Sequence, residues 1–348
     1  MARTNFFAVN GRFVGSMDIE LLKERARIIK TVRTFFDGKN YLEVDTPILS
    51  DNLIPESCLE VFKTERLPSA NSKYQHIKPY WLIPSPELWM KKLIAAHKES
   101  IYQICKSFRN GESSGLMHSP EFTMLEYYTM DADYLDSLAV TEDLFDNLLC
   151  KTNSPYSDPQ NYKTLEPPFI RWTMEEAFCR KAGFSLNDAL TLHTLHKEAR
   201  RLGLEVSPDT EEAIVYDLIF IHKVENALPK EKPVALLDYP AIVPCLAAAK
   251  DNCNMERWEL YIHGIEAANC FSEERRPQTV KDFFESECAK KNKSALVTHN
   301  VDKNYYKIFK NFPRCSGVAM GLDRLIMALT GRKTIDGVLP FPMGTSKY

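Results

Sequence analysis

Glycine is scarce in this chain, 13 of 348 residues, about half the roughly 7% usual in soluble proteins. That excludes collagen-like and glycine-rich low-complexity architectures, and it makes the position of each glycine informative. Long apolar runs are also missing. The longest, 241–249, contains Pro244 and falls far short of the roughly 18–20 residues a membrane span needs. Gly11, Arg12 and Gly15 interrupt the N-terminal apolar residues, so there is no export signal and a cytoplasmic location is expected. The nine cysteines form no C-x-x-C pair and are spread from Cys58 to Cys315, which fits neither a zinc ribbon nor a disulfide framework. They are expected to be reduced and mostly buried. No run of five like charges occurs, and 44 Lys+Arg against 47 Asp+Glu leave −3. A polybasic membrane patch or a phosphate-coating tail is therefore excluded. There is no internal repeat and no G-x-x-x-x-G-K-[ST] phosphate loop.

What remains is an ordinary globular composition, 44% hydrophobic and 26% charged. The spacing of Leu22, Ala26, Ile29, Val32 and Phe36 predicts an amphipathic helix that Asp18 can cap, with Gly38 just past its end. An extended piece, 41–47, loses its ladder donor at Pro47, so the strand should end there or lie at a sheet edge. Strands are expected at 81–83, 101–108, 122–128, 258–262, 270–273 and 318–320. Helices are expected at 87–98 and 322–330, with Gly331 closing the latter. Between 129 and 256 the pattern is mainly helical and includes a capping box, Thr173 to Glu176, on a helix that Gly183 can close. Residues 154–168 read as a loop. Strands and helices in mixed order, without regular βαβ alternation, predict an α+β fold on a largely antiparallel sheet. It is read as one domain, 1–348, with 129–256 a helical insertion.

Three polar clusters carry candidate chemistry. In the first, Arg109 ends one strand while His118 and Glu121 begin the next; a fixed guanidinium there suits a phosphate, and a solvated hairpin tip is the alternative. In the second, Glu259, Tyr261 and His263 alternate along a strand and Glu266, Asn269 and Glu273 follow Gly264. Carboxylates in an apolar stretch call for a cation, Mg²⁺ or a substrate ammonium, unless the strand faces solvent. The third is a small-residue strand, Gly317 to Gly321, leading into a helix with Arg324 at the junction. It serves either a ligand's close approach or a tight turn. Together, two arginines, an aromatic at Phe122 and an acidic strand describe a nucleotide-triphosphate site without a P-loop.

These residues resemble the class II aminoacyl-tRNA synthetases, and within them the lysyl branch. The first helix with Val44-Asp45-Thr46-Pro47 resembles motif 1. Phe108-Arg109 through His118-Ser-Pro-Glu-Phe122 resembles motif 2, and Gly317-Val-Ala-Met-Gly-Leu-Asp-Arg324 resembles motif 3. Motif 1 begins near residue 18, and fewer than 20 residues cannot make the N-terminal OB-fold of a lysyl-tRNA synthetase. Ala319 stands where those synthetases have glycine. Both features resemble the elongation factor P–(R)-β-lysine ligase family.

The resemblance implies an ATP- and Mg²⁺-dependent enzyme. Arg109 and Arg324 are its catalytic residues. Arg109, Asn110, Glu112, His118, Ser119, Phe122, Glu266, Ala267, Gly321 and Arg324 bind ATP. Ser85, Pro86, Glu87, Tyr128, Asn269, Glu273 and Ala319 bind lysine or (R)-β-lysine, and Glu259 and Glu266 hold the metal. It further implies a homodimer through motif 1 and elongation factor P as protein substrate, with no role for a membrane or tRNA. The alternatives are a minimal lysyl-tRNA synthetase and a non-catalytic lysine-binding paralogue. Ser119 replaces the usual asparagine, Cys270 replaces a glycine, and the motif 2 loop is one residue longer, so that Glu112 rather than residue 111 supplies the glutamate.

Overall fold

A computed structural model describes residues 8–9, 12–13, 18–68, 77–111, 116–150, 159–191 and 193–341. Its centre is an eight-stranded sheet of β1 (Leu42–Glu43), β2 (Ile101–Phe108), β3 (Glu121–Met130), β4 (Ile170–Thr173), β5 (Val234–Pro240), β6 (Asn254–Ile262), β7 (Ile265–Ser272) and β8 (Cys315–Gly321). Their order is β1-β2-β3-β8-β7-β6-β5-β4. The six inner strands are antiparallel, and a parallel strand closes each edge, β1 on β2 and β4 on β5. This is the α+β fold with an antiparallel sheet that the sequence predicts. Lys78–Leu82, which covers most of the expected strand 81–83, belongs instead to a separate three-stranded sheet, paired with Leu49–Ser50 and Lys63–Arg66.

Helix α1 (Ile19–Gly38) starts where Asp18 Oδ1 accepts the Glu20 and Leu21 amides at 3.1 and 3.3 Å. Its buried stripe is Leu21, Ile28, Val32, Phe35 and Phe36, turned by one residue from the expected one. Leu22 and Ile29 are half-buried and Ala26 is exposed. Val32 and Phe36 lie on both stripes, so periodicity alone does not separate them. Gly38 is the last helical residue, and the left-handed turn after it falls on Asn40 (φ 61°). Phe36 stacks on Tyr102 with centroids 4.9 Å apart, inside a core that α1 and α3 (Tyr134–Cys150) build against one sheet face. Each fully buried side chain there contributes ~1.5–3 kcal/mol.

The opposite face is kept open between two satellites. On one side are α2 (Glu87–His97) and α4 (Pro277–Ser294). On the other, helices Met174–Lys181, Leu186–Thr191, Leu195–Arg201 and Glu212–Ile219 pack on β4 and β5. The capping box closes as predicted: Thr173 Oγ1 accepts the Glu176 amide at 3.1 Å and Glu176 Oε2 accepts the Thr173 amide at 2.9 Å. Gly183 ends that helix at φ 75°. The stretch 129–256 is helical in the main but is more than an insertion, because it gives the sheet two strands. β5 is buried along its whole length, so it shows no polar alternation, and β4 has four residues; neither offers the period-2 signal. Of the expected loop 154–168, residues 154–158 lie outside the described residues, and Pro159–Lys163 is helical. All nine cysteines are free, as expected, but only Cys270 and Cys315 are buried; Cys58, Cys150, Cys179 and Cys253 are exposed. No described helix is long and apolar enough to cross a membrane.

Candidate active site

The open sheet face holds two adjoining cavities. The larger, about 350 Å³, is walled by Arg109, His118, Ser119, Phe122, Glu266 and Arg324 over a floor of Ala267, Asn269, Ala319 and Gly321. The smaller, about 90 Å³, is acidic: Glu56, Glu87, Glu126 and Glu273 line it beside Ser85 and Tyr128. Arg109, Met124, Asn269 and Ala319 line both cavities.

Arginine placement in the larger cleft follows from the turn between β8 and α5 (Leu322–Leu329). Arg324 Nη1 donates to the Glu266 carbonyl at 2.6 Å, and its Nη2 lies 2.8 Å from His118 Nε2. A guanidinium only donates, so His118 accepts there as a neutral imidazole. Beside it, Asp323 ties three elements together. It takes Arg25 of α1 at 2.6 Å on one oxygen and the Thr123 amide of β3 at 2.7 Å on the other. Arg109 lies over the Phe122 ring, 5.4 Å from the centroid, leaving a cation and an aromatic edge facing the cleft.

The carboxylate of Glu266 has no hydrogen-bond partner among the described residues. Burial, and then the charge of Glu259, push its carboxyl up to about 7. Glu259 lies behind it rather than on the cleft wall. Its Oε1 takes Arg257 at 2.6 Å and its Oε2 accepts the hydroxyls of Tyr239 and Tyr261 at 2.6 and 2.8 Å. No group of three or more His, Cys, Asp or Glu suited to a metal ion occurs among the described residues. Two neighbouring carboxylates, one of them unpartnered, nonetheless fit Mg²⁺, which takes one or two protein carboxylates plus substrate phosphates.

The acidic cavity is organised around a cation. Lys91, with no solvent exposure, reaches Glu87 at 2.6 Å and Glu273 at 2.5 Å, and lies 5.3 Å from the Phe271 centroid. Burial opposes its charge, but Glu273 and Glu87 outweigh that and hold its pKa well above the ordinary lysine value. Tyr128 donates to Glu126 Oε1 at 2.7 Å, while Oε2 is buried without a partner. Burial, and then Glu87, push Glu126 up to about 8. Gly317 completes the wall: a Cβ there would meet Tyr128 Cε1 at 2.5 Å and Glu273 Oε1 at 2.7 Å.

Most of the expected site residues therefore gather at these cavities, but some do not. Asn110 turns away from the cleft, its Nδ2 donating to the Val61 carbonyl at 3.4 Å and its Oδ1 accepting the Gly111 amide. Pro86 caps α2 without lining the pocket, and Glu259 is a second layer. His263 sits in the turn after β6 at φ 53°, not in line with Glu259 and Tyr261. Glu112 lies outside the described residues. Lys91, Glu126 and Glu56 are absent from the sequence reading. Lys91 stands four residues after Glu87, a helical ion-pair spacing, and Glu126 alternates with Tyr128 along β3. Glu56 sits in an irregular segment and leaves no local signal.

The family model described as tRNA synthetases class II (D, K and N) matches residues 14–345. Similar proteins include the elongation factor P–(R)-beta-lysine ligases of Vibrio atlanticus (36% identical over 334 residues, 94% of this chain and 97% of that protein) and of Buchnera aphidicola (36% over 331, 94% and 97%). This chain belongs to the elongation factor P–(R)-β-lysine ligase family of class II synthetases. In this ligase-family chain, the residues that resemble motif 1 are α1 and the segment 44–47 after β1, those that resemble motif 2 form the β2–β3 hairpin, and those that resemble motif 3 form β8 with the start of α5. The bond from Asp323 to Arg25 and to the Thr123 amide joins all three.

Proposed function

We propose that this protein is an ATP-dependent, AMP-forming ligase. It activates lysine or (R)-β-lysine as the aminoacyl-adenylate and transfers the acyl group to a lysine side chain of elongation factor P. The observation that carries this reading is the shared wall. An arginine-flanked cleft opens directly onto an acidic cavity, with Arg109, Asn269 and Ala319 bordering both. A nucleotide and a cationic amino acid placed in the two would bring phosphate and carboxylate together at Arg109.

In the first step a carboxylate oxygen of the amino acid attacks the α-phosphorus, and the bond to pyrophosphate breaks. Arg109 neutralises charge building on the α-phosphate, Arg324 holds the far phosphate end, and Phe122 stacks on the base. Glu266, with Glu259 behind it, would hold Mg²⁺, which when bound neutralises phosphate charge. The amino-acid side chain points toward Glu126, Tyr128 and Glu273, where an uncharged chain would leave a buried carboxylate unpaired. In the second step the acceptor amine attacks the acyl carbon and AMP leaves. Two copies would meet through α1 and β1, where Ile19 and Leu42 are 60% and 59% exposed.

The test is transfer of labelled lysine and (R)-β-lysine, with ATP and Mg²⁺, to elongation factor P and in parallel to lysine tRNA. Label on the protein alone is expected. Label on tRNA alone would make this a synthetase without an anticodon domain, and absence of pyrophosphate exchange with either amino acid would make it a binding paralogue. Sedimentation of the purified protein reads the dimer directly.

A further inference from the structure

Glu56 is the carboxylate in the acidic cavity that nothing in the fold has used. Its side chain has no hydrogen bond or ion pair among the described residues, although it lines the cavity with Glu87, Glu126 and Glu273. Lys91 already spans Glu87 and Glu273, and Tyr128 takes one oxygen of Glu126. The backbone beneath Glu56 is fixed. Lys291 Nζ donates to the Glu56 carbonyl at 3.0 Å, and Glu287 Oε2 accepts the Ser57 amide at 2.9 Å. Both anchors come from α4, so the backbone from which the side chain projects is held in place. Glu56 lines the cavity with Arg109, and the turn it opens runs into Glu60, whose carbonyl accepts the Asn110 amide beside Arg109 at 2.9 Å; Glu56 thus stands toward the end of the cavity that joins the ATP cleft.

A diammonium amino acid brings two cations to this space. One, at the far end of the side chain, suits the unpartnered oxygen of Glu126. The other is borne by the first or second carbon from the carboxylate that Arg109 faces, and the uncommitted acid at that end is Glu56. We propose that Glu56 is a specificity-determining residue that binds the amine next to the substrate carboxylate, the α-amine of lysine or the β-amine of β-lysine. It lines the same cavity as Ala319. This rests on the reading above that the cavity takes a diamino acid.

The test is Glu56→Gln, assayed by ATP–pyrophosphate exchange with (R)-β-lysine and with lysine. 6-Aminohexanoate, which keeps the distal amine and lacks the proximal one, serves as a competitive inhibitor. For both diamino acids KM is expected to rise about ten-fold or more, as for loss of a charged hydrogen bond, with kcat changed less than about three-fold. The Ki of 6-aminohexanoate should stay the same. Glu56→Asp, which keeps the charge one methylene shorter, should lie between and alter the ratio of the two isomers; it carries the test where the glutamine variant does not fold. An equal loss for all three compounds would overturn the proposal in favour of a general field effect. Normal exchange with lost transfer to the acceptor would overturn it in favour of a role in the second step. Failure of the unaltered protein to exchange with either diamino acid would instead defeat the ligase reading itself.

Discussion

Lys91 holds Glu87 and Glu273 together, 2.6 and 2.5 Å from its ammonium, at a point with no solvent exposure. One residue is on α2 and the other follows β7, so the pair of bridges fastens a helix to the sheet and shapes the cavity between them. It also partly neutralises two of the carboxylates that the family resemblance assigns to the substrate. The charge left for a ligand is concentrated on Glu126 and Glu56.

Removing that ammonium while keeping its stem tests whether it is structural. Lys91→Met leaves the buried Glu273 and the half-buried Glu87 uncompensated, which typically costs about 3–5 kcal/mol. Urea denaturation should show this loss at pH 7 and a smaller one near pH 5, where Glu273, whose carboxyl burial pushes up, takes up a proton in the variant. A variant as stable as the parent at both pH values would mean that the bridges contribute nothing.

The pH dependence of ligand binding should carry the signature of the unspent acids. Burial raises Glu126 to about 8 and Glu56 to about 7, above the value of about 4.3 for a free glutamate. Between those limits the folded chain holds protons that the unfolded chain has released. These two groups therefore make stability fall as pH rises from about 4.3 toward 7–8. An ammonium beside them reverses the effect by favouring the ionised form, so binding of lysine or β-lysine near pH 7 should release protons and tighten as pH increases. Calorimetry in buffers of different ionisation enthalpy measures the release directly. An enthalpy independent of the buffer would contradict it.

Much of this site was legible because class II motifs are dense in functional residues. Arg109, Phe122 and Arg324 lie at strand ends where period-2 and helix-start signals place them well. Asn110 and Pro86 each adjoin a residue that lines a cavity, but the backbone at 110 bridges to Glu60 and the Asn110 side chain turns away, and Pro86 takes the N-cap of α2. Glu259 shows a subtler limit: alternation puts it on the correct face, but only the packed Tyr239 and Arg257 reveal that it is already hydrogen-bonded. Lys91 reads from sequence as one more surface lysine on a helix. Its burial comes from Glu273, far along the chain, which no local pattern encodes.

Asp323 offers a test of how the three motifs depend on one another. It is 4% exposed and satisfies both Arg25 and the Thr123 amide. Asp323→Ala should cost about 3–5 kcal/mol, since it removes the ion pair of Arg25, which keeps its bond to Thr123 Oγ1 at 2.9 Å, and takes the acceptor from the buried Thr123 amide. Because Thr123 adjoins Phe122 and Asp323 adjoins Arg324, pyrophosphate exchange should fall further than stability alone explains, with KM for ATP raised. An unchanged KM for ATP in the folded variant would separate the scaffold from the cleft.

Gly317→Ala isolates the amino-acid cavity from the ATP cleft with a single methyl group. The added Cβ would stand 2.5 Å from Tyr128 Cε1 and 2.7 Å from Glu273 Oε1, and neither neighbour is at the end of a flexible chain free to swing away. Tyr128 is directly opposite Gly317 in the β3–β8 register and is tied to Glu126; Glu273 is tied to Lys91. The overpacking should cost about 1–3 kcal/mol and raise the KM for the amino acid about ten-fold or more, with the KM for ATP within about two-fold. Gly38→Ala is the control. A Cβ at that helix end meets nothing within 4 Å, so the change should leave activity unaltered and stabilise by about 0.4–1 kcal/mol. If Gly317→Ala instead raises both Michaelis constants equally, the two cavities do not act as separate subsites and the shared wall at Asn269 and Ala319 transmits the strain between them.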